Sequence, residues 1–338
     1  MKEIKIAQKT VGSTRPTFIV AEAGLNHNGK LEIARELVKK AADVGADAVK
    51  FQSFHTEDFV SKRSEYYQLF KSLELSETDF GQLKNLADEY RIIFLSTAFD
   101  LRYVTLLERM GVPAFKVASG DITFTPLLEA VAKTGKPVIL STGAATIGEI
   151  HEALSVLGEN GCEDVLLLHC LSSYPAPMEQ INLRAMPALR DMFGVPTGYS
   201  DHSIGITVPI AAAALGASLI EKHFTLDKTM IGPDHALSSE PEEFKRMIEA
   251  VRAIEKSLGD GSKRPMRSEQ EVRSAGRRSI VSKSLIKRGD RLDASKMAYK
   301  ISPVVGLQPS FARIILGKKI RTEKNEDDVL VWNDLLEE

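Results

Sequence analysis

The sequence predicts an α/β fold, a (β/α)₈ TIM barrel followed by a small β-rich domain. Between Thr17 and Leu258, short apolar runs alternate with longer amphipathic stretches, the pattern of a parallel sheet in which each strand is followed by a crossover helix. Eight such units in about 240 residues match the size of a closed barrel, whereas an open doubly wound sheet more often stops at five or six strands. The 338-residue chain is also longer than one hydrophobic core usually serves, so a second domain is expected.

The predicted strands are short apolar runs bounded by polar or glycine-containing turns. In chain order they are Thr17–Ala23, Ala46–Gln52, Ile92–Thr97, Ala114–Ala118, Pro137–Ser141, Asp164–His169, Val195–Ser200 and Ser218–His223. The predicted helices are Leu31–Val44, Glu77–Glu89, Leu101–Met110, Pro126–Lys133, Ile147–Leu157, Ile204–Leu215 and Glu242–Leu258. Ser76, with Asp79 three residues later, is predicted to cap the second of these helices.

The character of the chain changes after Leu258. Residues 259–278 are predicted to be a linker, because they are strongly charged, contain few large apolar residues and begin with a Gly-Asp-Gly-Ser run. The remainder has short β-like segments at Ser279–Ser282, Met297–Ile301 and Val329–Trp332. We therefore predict a barrel domain over residues 1–258 and a β-rich domain over residues 279–338. Because a module of about 60 residues has only a marginal core of its own, it is expected to dock on a barrel, either its own or a partner's.

The bulk composition narrows the kinds of partner. The formal net charge is only −2, so no general attraction to nucleic acid or to an anionic membrane is expected. No apolar run reaches the roughly 18 residues of a membrane span, and the first ten residues lack the apolar segment of a secretion signal, so a cytoplasmic location is expected. The two cysteines, Cys162 and Cys170, are too few for a disulfide framework and are predicted to be reduced.

Every predicted strand ends in polar residues, and the carboxyl ends of the strands are the face on which barrel enzymes place their catalytic groups. Strand by strand these residues are Glu22; Lys50 and Gln52; Ser96 and Thr97; Lys116 and Ser119; Ser141, Thr142 and Gly143; His169, Ser172, Ser173 and Tyr174; Ser200, Asp201 and His202; Glu221 and His223. A barrel that served only as a scaffold would not need eight polar strand ends.

Lys50 and Lys116 interrupt otherwise apolar strands. Because burying an ammonium group without a partner is costly, we expect the two lysines to converge on an anionic ligand. Ser119, Ser141 and Ser200 would add hydroxyl groups, and the neighbouring glycines would expose backbone N–H groups, for phosphate or carboxylate oxygens. The alternatives are a lysine that forms a Schiff base with a carbonyl substrate, as in barrel aldolases, and a lysine paired with a structural carboxylate.

His202 and His223 follow consecutive strands, so barrel closure would bring both imidazoles to one rim. Two neutral imidazoles suit a transition metal such as Mn²⁺, whereas a lone histidine more often caps a strand by hydrogen bonding. Glu22 is the candidate general acid or base, because its apolar neighbours would raise its pKa; a structural pair with Lys50 is the alternative. His169 is interpreted as a packed residue, and His235 is open to the same interpretation.

Seven motifs carry these candidates. They are Ala21-Glu22-Ala23-Gly24-Leu25-Asn26-His27-Asn28-Gly29, Val49-Lys50-Phe51-Gln52, Ser119-Gly120-Asp121, Leu140-Ser141-Thr142-Gly143, His169-Cys170 with Tyr174-Pro175, Gly198-Tyr199-Ser200-Asp201-His202, and Glu221-Lys222-His223-Phe224-Thr225 with Gly232-Pro233-Asp234. In this order and spacing they resemble the bacterial sialic acid synthase family. The likeness spans nearly the whole chain, and the tail looks like the family's C-terminal antifreeze-protein-like (SAF) domain.

The resemblance implies an enzyme that condenses phosphoenolpyruvate with N-acetylmannosamine or a related acylamino-sugar aldehyde. Phosphate would leave with C–O cleavage, and the product would be a nine-carbon 2-keto-3-deoxy sugar acid. The family roles, transferred by motif, give phosphoenolpyruvate binding to Lys50, Lys116, Ser119, Ser141 and Ser200, and acid/base chemistry to Glu22. His202 and His223 would bind a divalent metal, with Mn²⁺ preferred over Mg²⁺ or Co²⁺. The residues that would line the sugar and metal site are Gln52, Tyr174, Glu221 and Asp234, and Asp121 and Asn28 would make further contacts.

The chain departs from the family pattern at two places. Asp121 stands where many relatives have glutamate, so its contact with phosphate or sugar is expected to run through water. The tail reads Ser302-Pro303-Val304-Val305-Gly306-Leu307, where relatives often carry an arginine that touches the sugar's acyl group in the partner subunit. A 6-deoxy diacetamido hexose, the precursor of a legionaminic or pseudaminic acid, is therefore an alternative substrate, and Ser72–Ser76 is similar to the legionaminic branch.

The family also implies a homodimer in which each tail lies over the barrel of the other subunit. Two rival functions stay open on the residues alone. One is a Schiff-base lysine aldolase on the same barrel, and the other is a non-catalytic carbohydrate-binding barrel. The combination of Glu22 with two lysines and two histidines argues against the second.

Overall fold

The computed structural model describes residues 2–336, which form two compact units, the first ending at Gly259 and the second beginning at Asp260. The strands of the first unit are β1 (Ile4–Ile6), β2 (Lys9–Val11), β3 (Phe18–Gly24), β4 (Ala48–Ser53), β5 (Ile93–Ala98), β6 (Phe115–Val117), β7 (Val138–Ser141), β8 (Val165–Cys170), β9 (Thr197–Asp201) and β10 (Leu219–His223). Its helices are α1 (Leu31–Asp43), α2 (Thr56–Phe59), α3 (Tyr67–Leu73), α4 (Glu77–Glu89), α5 (Leu101–Arg109), α6 (Thr125–Ala132), α7 (Ile147–Glu159), α8 (Ala185–Phe193), α9 (Thr207–Ala214) and α10 (Pro241–Leu258).

Strands β3 to β10 are parallel and close into a barrel, in which β10 pairs with β3. The predicted (β/α)₈ barrel is therefore confirmed, and the ends of all eight predicted strands lie within two residues of the observed ones. Ser76 caps α4 as predicted. Its hydroxyl oxygen accepts a hydrogen bond from the Asp79 N–H at 3.1 Å, and the Asp79 carboxylate accepts one from the Ser76 N–H at 3.0 Å.

Three helices of the barrel unit, α2, α3 and α8, were not predicted. Helix α8 supplies the crossover after β8 and has Pro187 in its first turn, where a missing N–H is tolerated. It ends at Gly194, whose φ of 68° is the left-handed conformation of a helix end. Because proline and glycine are typical of loops, Pro187 and Gly194 hid this short helix in the sequence.

No helix in the described part of the chain is long and apolar enough to cross a membrane.

The interior of the barrel is apolar at one end and polar at the other. Successive side chains of a strand point to opposite faces, so alternate residues face inward. Near the amino ends of the strands the inward residues form one apolar cluster: Phe18, Val20, Ala48, Ile93, Leu95, Ala114, Ile139, Leu166, Leu168 and Leu219. Further along the same faces the inward positions become polar, with Glu22 following Val20 and Lys50 following Ala48. A polar site is therefore expected at the carboxyl end, above an apolar floor.

The amino end of the barrel is closed by the hairpin of β1 and β2. Its residues Ile4, Ile6 and Val11 belong to the same apolar cluster as the barrel floor. Within the barrel, Gly198 of β9 permits a close approach, because a Cβ atom there would lie 2.2 Å from the carbonyl oxygen of Leu219. The strand that leads to Ser200 and His202 therefore packs tightly against β10.

The second unit contains α11 (Gln270–Ala275), β11 (Arg278–Ser282), β12 (Met297–Ile301) and α12 (Ala312–Ile315), and its two strands are antiparallel. Buried apolar residues give it a core of its own: Ile280, Ile286, Leu292, Met297, Leu307, Ile315, Ile320, Leu330 and Leu335. The β-like segment predicted at Val329–Trp332 is not a regular strand, since Val329 makes a single bridge with Val281 and a 3₁₀ helix begins at Trp332. At the start of this helix the Asp334 carboxylate accepts a hydrogen bond from the Val331 N–H at 2.9 Å. The segment predicted as a linker contains α11.

Candidate active site

A cavity of about 220 Å³ lies at the carboxyl ends of the barrel strands. All eight strands, or the loops that follow them, contribute to its lining: Glu22, Lys50, Gln52, Thr97, Phe99, Lys116, Ala118, Ser119, Gly120, Ser141, Cys170, Ser172, Tyr174, Ser200, His202, Glu221 and His223. The five residues predicted to hold phosphoenolpyruvate are in this lining, together with the predicted acid/base, both histidines and three of the four predicted sugar residues. Asp234, Asn28 and Asp121 are outside it.

Glu22, Lys50 and Glu221 form a buried charge network in this cavity. Strand β3 lies between β10 and β4, so the three side chains come from three adjacent strands. The Lys50 Nζ atom lies 2.8 Å from Glu22 Oε2 and 3.6 Å from Glu221 Oε2, and it donates a hydrogen bond to Thr97 Oγ1 at 3.0 Å. All three charged side chains are buried. The ion pair between Glu22 and Lys50, which the sequence offered as an alternative to a catalytic role, is present, and both of its residues line the cavity.

The two carboxyl groups of this network have different proton affinities. Burial raises the pKa of Glu22 to about 7, against the opposing effect of the Lys50 ammonium group. Burial alone would also raise the pKa of Glu221, but the ammonium groups of Lys116 and Lys50 lower it below its ordinary value. Near neutral pH Glu221 is ionised, whereas Glu22 exchanges a proton easily. Two neighbouring carboxyl groups whose pKa values are shifted in opposite directions are typical of a site for acid/base chemistry.

Lys116 and the serines form the other half of the cavity. The Lys116 Nζ atom donates to Ser141 Oγ at 2.7 Å and lies 3.9 Å from Glu221 Oε1, which in turn accepts a hydrogen bond from Ser200 Oγ at 3.0 Å. Burial lowers the pKa of Lys116. Ser119 Oγ accepts a hydrogen bond from the Gly143 N–H at 2.9 Å, within a group of hydroxyl and N–H donors suited to anionic oxygens.

His202 and His223 meet at the rim, with ring centroids 5.4 Å apart. The Nδ1 atom of His202 lies 2.7 Å from the carbonyl oxygen of Leu171, so this nitrogen carries a proton and Nε2 is left with its lone pair. Burial and the neighbouring His223 lower the pKa of His202 to about 4, and burial likewise lowers the pKa of His223. Both rings are therefore neutral, the form in which imidazole binds a metal.

The histidines fit a divalent transition metal. Among the described residues, the buried Nδ1 atom of His223 has no hydrogen-bond partner, and Asp234 Oδ2 lies 3.7 Å from it. The nearby carboxylate is a ligand type that suits Mn²⁺, and a free nitrogen on each ring is of the type that binds transition metals. The family resemblance gave Asp234 to the sugar and metal site, and the structure brings Asp234 next to His223, one of the two histidines predicted to hold the metal.

The remaining predicted residues surround the cavity at different distances. The Tyr174 ring packs against His202 at an angle of 34° with centroids 4.1 Å apart, and Gln52 Nε2 donates a long hydrogen bond of 3.4 Å to Glu22 Oε1. Gly24, with φ of 50°, leaves room for this group, because a Cβ atom there would lie 3.3 Å from Glu22 Oε1 and 3.6 Å from Asp234 Oδ2. A side chain at Gly24 would crowd the site.

Asn28 and Asp121 lie outside the cavity lining, and Asn28 has structural hydrogen bonds there. The Asn28 amide donates to the Ile231 carbonyl oxygen at 2.9 Å, and its Oδ1 atom lies 3.3 Å from His235 Nε2, so it fastens the loop that carries Asp234. His235 is buried and also pairs with Thr225 Oγ1 at 2.6 Å, in keeping with a structural interpretation. Asp121 is half-buried, and burial raises its pKa to about 6.

Sequence reasoning missed part of the site. Phe99 lines the cavity, but as an apolar residue after a strand it carried no signal. Thr97 was noted only as a polar strand end, yet it accepts the hydrogen bond of Lys50. Glu221 was assigned to the sugar and metal site, and its contacts with Lys50 and Lys116 could not be predicted from the sequence. His169 is outside the lining and pairs with the Ile181 carbonyl oxygen at 2.8 Å, and Cys162 and Cys170 are free thiols.

Fold and site together define a TIM-barrel protein with a buried, charged small-molecule site of the kind found in enzymes. Residues 37–263 match the NeuB family, and the chain belongs to this family of sialic acid synthases. It is 58% identical over 336 residues to an uncharacterized protein of Methanocaldococcus jannaschii, covering 99% of both chains. It is 44% identical to the N,N'-diacetyllegionaminic acid synthase of Campylobacter jejuni, covering 94% of this chain and 99% of that one.

A solved structure agrees with this assignment. The N-acetylneuraminic acid synthetase of Leptospira borgpetersenii, crystallised in complex with citrate, superposes with a TM-score of 0.77 at 41% sequence identity. The match covers 80% of this chain and 94% of that one. The predicted resemblance to the sialic acid synthase family is confirmed.

Proposed function

We propose that this protein condenses phosphoenolpyruvate with the aldehyde of an acylamino-sugar to give a nine-carbon 2-keto-3-deoxy sugar acid and phosphate. The observation that carries the proposal is the buried network of Glu22, Lys50, Lys116 and Glu221, which lies beside two neutral histidines in one cavity. Membership of the NeuB family supports the same reaction. In this reaction C3 of phosphoenolpyruvate bonds to the aldehyde carbon, water adds at C2, and the bond from C2 to the phosphate oxygen breaks.

Phosphoenolpyruvate would be held by Lys50, Lys116, Ser119, Ser141 and Ser200. Two ammonium groups face one ionised carboxylate, that of Glu221, and one carboxyl group that protonates near neutrality. The charge of the cavity is therefore positive when Glu22 is protonated, which favours a compact anion. Lys116 already donates a hydrogen bond to the Ser141 hydroxyl. A phosphate or carboxylate oxygen could take the place of that hydroxyl as the acceptor, so the lysine is already oriented for the ligand.

Glu22 is proposed as the acid/base group. With a pKa raised to about 7 by burial, it has both protonation states available at neutral pH. It can donate a proton to the aldehyde oxygen as the C–C bond forms, or accept one from the water that attacks C2. Gln52, Tyr174 and Asp234 would orient the sugar around it, with Asn28 holding the Asp234 loop and Asp121 reaching the ligand through water.

His202 and His223 would hold the divalent metal, with Mn²⁺ as the first choice and Mg²⁺ or Co²⁺ as alternatives. Their neutral state, the free Nδ1 of His223 and the nearby carboxylate of Asp234 support this assignment. When bound, the metal would supply Lewis-acid polarisation of the sugar aldehyde. The protein's own contribution is to keep both rings neutral and to pack Tyr174 against His202.

A 6-deoxy diacetamido hexose is a second candidate for the sugar, beside N-acetylmannosamine. Two observations favour it. The Campylobacter jejuni relative is an N,N'-diacetyllegionaminic acid synthase, and the tail has the exposed Val304 and Val305 near the position where the family resemblance implies an arginine. We propose that residues 279–338 form an antifreeze-protein-like domain, and that a homodimer exchanges these tails over the partner barrels.

The sugar is identified by a substrate panel. Purified protein with Mn²⁺ and phosphoenolpyruvate is given N-acetylmannosamine, the 6-deoxy diacetamido hexose or N-acetylglucosamine as an epimer control, and phosphate release is followed. Release with one of the first two, and little with the control, would support the proposal. Release with none of them would contradict it. Trapping of a substrate adduct on Lys50 or Lys116 by borohydride would point to the aldolase alternative instead.

A further inference from the structure

The most deeply buried ion pair of the barrel lies outside the cavity, on the opposite face of two of its strands. Lys222 and Asp201 are both completely buried, and the Lys222 Nζ atom donates to Asp201 Oδ2 at 2.7 Å. Because side chains alternate along a strand, Lys222 points away from the cavity while its neighbours Glu221 and His223 point into it. Nothing in the proposed reaction uses this pair.

Each member of the pair is the immediate neighbour of one proposed metal-binding histidine. Asp201 ends β9 and precedes His202, and Lys222 precedes His223 on β10. Lys222 and Asp201 are also direct partners in the register of the two strands. The ion pair therefore fixes the alignment of β9 and β10 at the residues that directly precede the two histidines.

The pair also holds the backbone on the far side of His202. The Lys222 Nζ atom donates a second hydrogen bond to the Ser203 carbonyl oxygen at 2.7 Å. Asp201 Oδ1 accepts from the Ser203 N–H at 3.0 Å and from its hydroxyl at 2.7 Å. The residues directly before and directly after His202 are thus both held by hydrogen bonds, which fixes the position of the backbone from which the His202 side chain projects.

A buried ion pair of this kind is not needed for stability as such. The cost of removing two charges from water often equals their attraction, and replacement of both partners by uncharged residues of similar size is often neutral. We infer that Lys222 and Asp201 are positioning residues, which set the separation and orientation of His202 and His223 for the divalent metal. This inference rests on the metal site of the proposed function, and it adds two residues that do not touch the ligand.

The test separates positioning from folding with a double variant. Lys222→Met alone leaves Asp201 as an unpaired buried charge and should lower both thermal stability and Mn²⁺ affinity. The double variant Asp201→Asn/Lys222→Met removes both charges and keeps an oxygen for Ser203, so its stability should recover toward the wild type. Its Mn²⁺ affinity, measured by calorimetry, should stay about tenfold or more below the wild type, because a methionine side chain cannot donate a hydrogen bond to the Ser203 carbonyl oxygen.

Two controls make the result specific. Phosphoenolpyruvate binding without added metal should fall much less than Mn²⁺ affinity in the double variant, since four of the five proposed phosphoenolpyruvate ligands, Lys50, Lys116, Ser119 and Ser141, lie on other strands or the loops that follow them. Leu107→Ala, a core truncation in α5, should lower stability and leave Mn²⁺ affinity unchanged. If the double variant binds Mn²⁺ as tightly as the wild type, the pair is only structural and the inference is wrong. If the wild type itself binds no Mn²⁺, the proposed metal site fails and this inference fails with it.

Discussion

Lys50 lies with its ammonium nitrogen 2.8 Å from the carboxylate of Glu22, and both side chains are buried. An ion pair normally lowers the pKa of its carboxyl group, but here burial outweighs the lysine and raises that of Glu22 to about 7. Glu221 lies on the other side of the same ammonium group and stays ionised because two lysines face it. The site thus holds one fixed negative charge and one proton that can move.

Glu22→Gln should bind phosphoenolpyruvate almost normally and turn over at least ~100-fold more slowly than the wild type. Glutamine keeps the shape of the protonated carboxyl group but cannot transfer a proton. Calorimetric titration of phosphoenolpyruvate, combined with steady-state rates, measures the two effects separately. Equal losses in binding and turnover would mark Glu22 as a structural residue.

Phosphoenolpyruvate binding should weaken as pH rises above 7. Glu22 is neutral below its raised pKa and an anion above it, and the anion competes with the ligand for Lys50. The dissociation constant should therefore rise by up to about tenfold per pH unit between pH 7 and 9. Glu22→Gln should show a nearly level dependence over the same range. A level dependence in the wild type would mean that Glu22 does not titrate there.

Phosphate release should require a divalent metal. Chelation should abolish it and added Mn²⁺ should restore it, and His223→Ala should lose metal affinity because one of the two imidazole ligands is removed. His169→Ala is the matched control, since His169 is outside the cavity lining and bonds to the Ile181 carbonyl oxygen. It should affect folding and leave metal affinity unchanged. Full activity of the metal-free protein would remove the metal role.

The tail should matter for the sugar more than for phosphoenolpyruvate. A chain truncated after Leu258 should still bind phosphoenolpyruvate, because the residues proposed to hold it are all on the barrel, but its KM for the sugar should rise greatly. The residues expected to complete the partner's site are Arg277, Arg278 and Pro303–Gly306. The truncated chain mixed with full-length Lys116→Ala should regain some activity through hybrid dimers. A fully active truncated monomer would contradict tail exchange.

Most barrel strands and cavity residues could be predicted from the sequence, because short apolar runs that end in polar residues are a local signal. A lysine such as Lys116 in an apolar strand marks the point where the inward face turns polar, and the structure places it in the cavity. Other features depend on tertiary contacts that no local pattern carries. The pairing of Lys222 with Asp201 needs the register of two strands, and the place of Glu221 between two lysines needs the closed barrel.

Errors of the sequence reading have the same physical origin. Helix α8 was missed because Pro187 and Gly194 are turn-forming residues, although a proline in the first turn and a glycine at the end fit a short helix. Val329–Trp332 has the composition of a strand, but its pairing with β11 is limited to one bridge at Val329, and a 3₁₀ helix begins at Trp332.

The most direct measurement of the central claim follows one labelled oxygen. Phosphoenolpyruvate carrying ¹⁸O in the oxygen that joins C2 to phosphorus is incubated with the protein, Mn²⁺ and the accepted acylamino-hexose, and the phosphate is examined by ³¹P NMR. The account predicts one ¹⁸O atom in each phosphate released and an equal amount of nine-carbon 2-keto acid. Unlabelled phosphate with ¹⁸O retained in the organic product, or no phosphate at all with any acylamino-hexose, would contradict it.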